Sequence, residues 1–216
     1  MTTIHENQPS LPPDTIALST SMLSSHRTQQ SVEKVLKEII DRFDTKSDPL
    51  SPREAAQLRR GGSKGMTPEF WRLWKNLSLE RYPALPDSEV LSENERQDRW
   101  QRVFQAYARF LPTGTAQKQN KRTLPHNSQV SLGEVLWGTD EHPRDGEKHP
   151  RVSEQRIAKL LSAPAEKRPA IMMRLLPLLK RGISPKEERF NFIELGKFLL
   201  NPDEKACRKI AEKYYR

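Results

Sequence analysis

Cysteine is nearly missing from this sequence. Cys207 is the single one in 216 residues, so no internal disulfide can form, and structural zinc, which needs four Cys or His ligands, has no cluster to use. Glycine is sparse too, at nine. The nearest approach to a phosphate loop, Gly61-Gly62-Ser63-Lys64-Gly65, lacks the G-x-x-x-x-G-K-[ST] spacing and a preceding strand, so it reads as a helix terminator. Long apolar runs are absent: mean hydropathy is -0.83, and no stretch reaches the length that a membrane span requires. The opening residues, MTTIHENQPSLPPD, have neither the basic nor the apolar region of a secretory signal, and a cytoplasmic location is expected. Alternating strand patterns and Asn-Gly hairpins are missing as well. No cofactor-binding signature stands out.

What the chain has in excess is positive charge. Lys and Arg number 37 against 28 Asp and Glu, a net +9. Residues 1 to 50 hold 5 basic and 7 acidic side chains, a net of -2, which leaves 32 basic against 21 acidic, or +11, in residues 51 to 216. The charge belongs to the body rather than to a tail. Such a surface suits phosphate backbones, and the competing readings are an acidic protein partner, an anionic surface or plain solubility.

The periodicity is helical throughout. Residues 1 to 30 are rich in Ser, Thr, Gln and Pro without apolar period and read as a disordered tail. Val32, Val35, Leu36, Ile39, Ile40 and Phe43 then form the stripe of an amphipathic helix. Ser51-Pro52-Arg53-Glu54, Ser92 with Glu95, Ser131 with Glu134, and Ser184-Pro185-Lys186-Glu187 are capping boxes. Thr67-Pro68-Glu69, Ser153 and Asn201-Pro202-Asp203-Glu204 mark further starts, and Pro177 is expected to end or kink the helix that contains it. The expected fold is all-α with about eight or nine helices in two small bundles, residues 31 to 130 and 131 to 216. The first bundle carries a basic loop over 112 to 130. A second irregular stretch runs from Gly138 to Arg151.

Catalytic patterns are weak. Ser31 and Lys34 match S-x-x-K without a K-T-G partner. His126, His142 and His149 lie in polar loops. Asp140, Glu141, Asp145 and Glu147 near the latter two make at most a weak cation site, against the plainer reading of solvated loop charge. An enzyme would have to be a metal-dependent nuclease acting through His142 or His149; no enzymatic activity is expected. The basic residues offer more. Arg59 and Arg60 with Lys64 form a compact candidate phosphate clamp, although cations at a helix C-terminus also serve the dipole. Arg156 and Lys159 are three apart on one helix with Arg151 just upstream, three cations along one face or edge, and Lys118, Lys121 and Arg122 sit in the polar loop. Such a set grips phosphates without reading bases.

The order of these features resembles the small subunit of the type I-E CRISPR Cascade effector, the CasB family. The residues that carry the likeness are AAQLRR (55 to 60), PEFWRLW (68 to 74), the basic loop leading to SLGEVL (131 to 136), SEQRIAKLLSA (153 to 163), RLLPLLK (174 to 180) and FIELGKFLL (192 to 200). The resemblance implies an all-helical, non-catalytic protein of two bundles, present as a head-to-tail pair along the belly of Cascade beside the backbone and large subunits. It implies contacts to crRNA and to the target and displaced non-target DNA strands of the R-loop. By position, Arg59 and Arg60 match the family's Arg pair and Arg156 its arginine after the second loop, whereas Lys118, Lys121 and Arg122 match by composition. The long N-terminal extension and the 138 to 151 insertion depart from the pattern, and Ser162 stands where some relatives have arginine. The alternative is a helical adaptor whose basic face binds an acidic protein.

Overall fold

The computed structural model describes residues 32–43, 50–61, 65–82, 92–111, 126–138, 150–181 and 190–216. Among them the chain forms nine α-helices: α1 (residues 32–43), α2 (Pro52–Arg60), α3 (Pro68–Asn76), α4 (Glu93–Phe110), α5 (Leu132–Trp137), α6 (Glu154–Ser162), α7 (Arg168–Arg181), α8 (Phe192–Leu200) and α9 (Glu204–Tyr214). A short 3-10 helix (Leu79–Arg81) follows α3. The described residues contain no sheet, only one isolated bridge between His126 and Phe190.

Local chemistry sets many of these boundaries. In the boxes at Ser51, Ser92 and Ser131 each serine oxygen accepts from the backbone N–H three residues on, and the glutamate there answers the serine N–H, at 2.5, 3.0 and 2.8 Å. Leu111, held extended before Pro112 at φ -65 and ψ 141, closes α4 as the clash with a following proline requires.

Long-range packing then orders the helices. All six stripe residues of α1 are buried. A helix this short is marginal alone in water, and its partners are α8 and α4. Leu36 lies against Gly196, the Phe43 ring meets Tyr107 edge-on at 6.1 Å, and Glu33 pairs with Lys197 at 2.5 Å. The long α4 is the centre of the fold and touches α2, α7 and α8. Its Tyr107 hydroxyl donates to Phe192 O at 2.5 Å, and Phe110 packs edge-on against Phe190 and Phe192. Helix α5 crosses α9 so closely that a Cβ at Gly133 would stand 2.5 Å from Ile210 O.

At three helix boundaries the structure adds detail to the sequence expectations. Pro177 does not end its helix, since α7 runs through it to Arg181. Proline removes the N–H that would reach Met173 O, and Arg109 Nη1 of α4 donates to that carbonyl at 2.8 Å instead. Ser153 occupies the N-cap of α6 as expected, but without a side-chain bond; the third residue of that helix is Arg156, which cannot answer as a glutamate does. Helix α8 starts at Phe192 on an Asn191 cap, and the 184 to 187 box lies outside the described residues.

Candidate nucleic-acid interface

The two arginines that end α2 do different things. Arg59 turns inward: Nε donates to Ala108 O at 2.7 Å and Nη2 to Leu111 O at 3.1 Å, capping the C-terminus of α4. Burial pulls its pKa below the ordinary arginine value. The neighbouring Gln105 reinforces the junction by donating to Arg59 O at 3.1 Å and to Gly61 O. Arg60 is exposed and folds back on its own helix, Nε to Ala56 O at 3.1 Å.

Arg59 is one of four arginines used this way. Arg99 Nη1 donates to Leu200 O at 2.6 Å, at the end of α8, and Arg109 fills the gap at Pro177. Arg168, buried at 5% exposure, reaches Pro202 O at 2.8 Å and Leu161 O at 3.4 Å and pairs with Glu204. Each joins helices distant in sequence through carbonyls that would otherwise lack partners. The sequence carries no local sign of this, because the acceptor lies 49 residues away for Arg59 and 101 for Arg99.

The second row faces outward. On α6 the apolar Ile157 and Leu160 are buried, while Arg156 and Lys159 are exposed and form no ion pair among the described residues. Arg151 lies half-buried just before this helix. Its N–H donates to Gly138 O at 3.0 Å and Trp137 O at 3.3 Å, and its guanidinium covers Gly138, where a Cβ would stand 3.1 Å from Cζ. The two ends of the 138 to 151 stretch therefore meet at the foot of α5. Helix α9, which packs on α5 and α6, adds exposed Lys205 and Arg208; the sequence does not single them out, because this helix registers there only by its apolar side. Arg59 and Arg60 sit on α2, which packs on α3 and α4, whereas the Arg151–Arg156–Lys159 row sits by α6, which packs on α7 and α9. Lys64, Lys118, Lys121 and Arg122 lie outside the described residues, as do Ser31, His142, His149, Asp140, Glu141, Asp145 and Glu147.

His126 is structural. Its Nδ1 accepts the Phe192 N–H at 3.2 Å, the first donor of α8, and the next two go to Asn191 Oδ1 at 3.1 and 3.3 Å. Burial holds its pKa below the usual imidazole value, with Lys37 acting in the same sense and Asp41 against. No group of three or more His, Cys, Asp or Glu able to hold a metal occurs among the described residues. None of their helices is long and apolar enough to cross a membrane. Cys207 is buried, and burial raises its thiol pKa, the opposite of a reactive cysteine.

A pocket of about 210 Å³ opens between α1, α5, α8 and α9, lined by apolar Val32, Leu132, Phe198 and Ile210 and by polar Lys205 and Asp203. Glu194, also in its wall, is fully engaged: it accepts from Leu132 N at 2.8 Å and pairs with Lys209 at 2.6 Å.

Three large apolar side chains are exposed among the described residues: Trp71 (40%), Trp137 (39%) and Tyr215 (54%). Sequence periodicity passes over all three: Trp71 and Trp137 fall off the apolar stripes of their helices, and Tyr215 follows α9.

No protein-family profile and no curated protein matches the chain. A crystal structure of CasB from M. ruber does: the two share a fold at a TM-score of 0.51 and 19% sequence identity, over 88% of this chain and 93% of that one.

Proposed function

We propose that this protein is a non-catalytic small subunit of a CRISPR Cascade interference complex. In this reading it grips nucleic-acid backbone and stabilises the R-loop during crRNA-guided recognition of invading DNA. Its partners would be crRNA, the target and displaced non-target strands, the backbone and large subunits, and a second copy of itself. The observation that carries the reading is the CasB fold over nearly the whole chain, and the exposed cations Arg156 and Lys159 on the outer face of α6 agree with it. Exchanging a DNA duplex for an RNA–DNA hybrid is nearly balanced in free energy, so modest backbone binding suffices to tip it, and base pairing leaves the protein no sequence to read. The phosphate contacts are assigned to Arg60, Arg151, Arg156 and Lys159, together with Lys64 and the 118 to 122 loop.

The test is salt dependence. Removing one cation from a phosphate should flatten the slope of log affinity against log salt by about 0.7 on a single strand. An Arg60→Ala/Arg156→Ala/Lys159→Ala variant should therefore bind single-stranded DNA more weakly with a slope about 2 smaller, while melting like the wild type. Unchanged binding refutes the site. Short repeat-flanked RNAs co-purifying with the tagged chain support the complex, and a stable complex with an acidic protein and no RNA replaces it with the adaptor reading.

A further inference from the structure

Trp137 and Tyr215 are not isolated surface residues. Trp137 ends α5 and Tyr215 follows α9, and the tight α5–α9 crossing at Gly133 brings both to one buried ring. Trp137 meets Tyr214 edge-on at 5.5 Å and 90°, and Tyr215 meets it at 4.9 Å and 83°. Tyr214 is fixed in turn, its hydroxyl donating to Val152 O at 2.5 Å, and burial pushes its pKa up to about 12. Two exposed aromatic rings are thus braced by an immobile third. Trp71, the remaining exposed aromatic, has only Phe70 and no second exposed ring beside it.

We propose that Trp137 and Tyr215, braced by Tyr214, form a ledge on which unpaired nucleic-acid bases stack, with Arg151 beside it for the phosphate. The proposal rests on the nucleic-acid reading above and adds base stacking to what was phosphate binding alone. Aromatic rings take any base, because every base has a π face, and they suit a subunit that does not read sequence. Arg151 is anchored by its own N–H to Trp137 O and packs its guanidinium on Gly138; its Nε is buried there without a hydrogen-bond partner among the described residues, so the outer guanidinium nitrogens would carry the phosphate contact. Other charges close by are Arg216, which adjoins Tyr215, Lys213, which pairs with Glu134 at 3.4 Å, and Glu154 near Tyr214, which opposes an anion. Exposed Trp and Tyr beside an Arg also suit a protein interface, and what favours a nucleic-acid strand here is the excess of cations around the rings, Arg151, Lys213 and Arg216 against Glu134 and Glu154.

The full chain should be titrated with an oligo(dT) strand and with an abasic strand of equal length. Stacking predicts about tenfold tighter binding of oligo(dT). Tyr215→Ala and Trp137→Ala should each remove much of that preference and leave the salt slope unchanged, and Trp137→Phe should keep it. Tyr215 is exposed and follows the last helix, and thermal melting of each variant beside the titration separates a folding defect from lost stacking. Equal, salt-sensitive binding of both strands refutes the ledge and leaves the phosphate reading standing, whereas binding of neither refutes both. Loss of a protein partner from the Tyr215→Ala variant with oligo(dT) affinity intact overturns the proposal in favour of a protein-docking role.

Discussion

Arg59 and Arg60 are adjacent, both match the phosphate clamp expected from the sequence, and the fold assigns them opposite work. Arg59→Ala removes two charge-assisted bonds, at 2.7 and 3.1 Å, from the last carbonyls of α4. A bond from a charged donor contributes about 1.5–3 kcal/mol when its partner is buried. The site is half-exposed, so water recovers part of the loss, and about 2–3 kcal/mol is expected overall. For a chain of this size that is a fall of about 5–10 °C in the melting temperature. Arg60→Ala, on an exposed side chain, should cost clearly less than Arg59→Ala. Arg59→Lys separates the roles, since an ammonium keeps the charge but cannot fork to two carbonyls. It should recover less than half of the stability while preserving any phosphate attraction. The assay is thermal melting beside oligonucleotide titration of each folded variant. If Arg59→Ala melts like the wild type and loses strand binding, the capping assignment is wrong and Arg59 belongs to the interface.

Three further perturbations test the joints around α4, α5 and α8. Arg109→Met strands the Met173 carbonyl at the Pro177 gap and should cost about 2 kcal/mol; because Pro177→Ala restores an N–H to that carbonyl, the same change should cost clearly less in the Ala background, and a purely additive double-mutant cycle in chemical denaturation would exclude the link. Gly133→Ala drives a Cβ to 2.5 Å from the Ile210 carbonyl, a rigid backbone atom, whereas at Gly196 the obstacles are the Leu36 methyl and Tyr107 hydroxyl at 2.6 Å; both should destabilise by about 1–3 kcal/mol, Gly133→Ala the more, as read by urea midpoints. His126 must stay neutral to accept the Phe192 N–H, so its folded-state pKa lies below the unfolded value near 6.5. The unfolded chain then takes up a proton first, and this contribution is intact above about pH 6.5 and lost progressively as pH falls below it. His126→Gln, which accepts at any pH, should flatten the melting temperature between pH 7 and 5.

What is legible in the sequence is local. A serine three residues before a glutamate is a closed unit, and at Ser51, Ser92 and Ser131 it forms as the spacing predicts. At Ser153 the fourth member is Arg156, and the serine sits at the N-cap without a side-chain bond. The Asn191 cap is hidden because its third residue, Glu194, turns away to Leu132 N–H and Lys209. The six-residue stripe of α1 tells which face is buried but not against what; Gly196 on α8, which admits Leu36, has no periodic signature. The same limit governs the site. Outward-facing Arg156 and Lys159 follow from their offset of one from Ile157 and Leu160, whereas Arg59 and Arg109 also look like surface cations until their carbonyls arrive from distant parts of the chain. The exposed aromatics escape because Tyr215 lies one residue past its helix and Trp137 one past the last buried position of its own.

The inward arginines change what a net charge of +9 means for binding. Arg59, Arg99, Arg109 and Arg168 keep their charge but have donors committed to carbonyls. They raise the local potential without offering all the hydrogen bonds that hold a phosphate in place. Long-range attraction, which salt screens over a Debye length of about 8–10 Å, counts every cation. A phosphate bond that displaces a condensed counterion counts only those cations whose heads are presented outward, such as Arg156, Lys159 and Arg208. A protein built this way should meet a nucleic-acid strand faster than its salt slope alone would suggest, and hold it through few phosphates. Little grip per phosphate leaves room for stacking on Trp137 and Tyr215 to decide how long an unpaired strand stays.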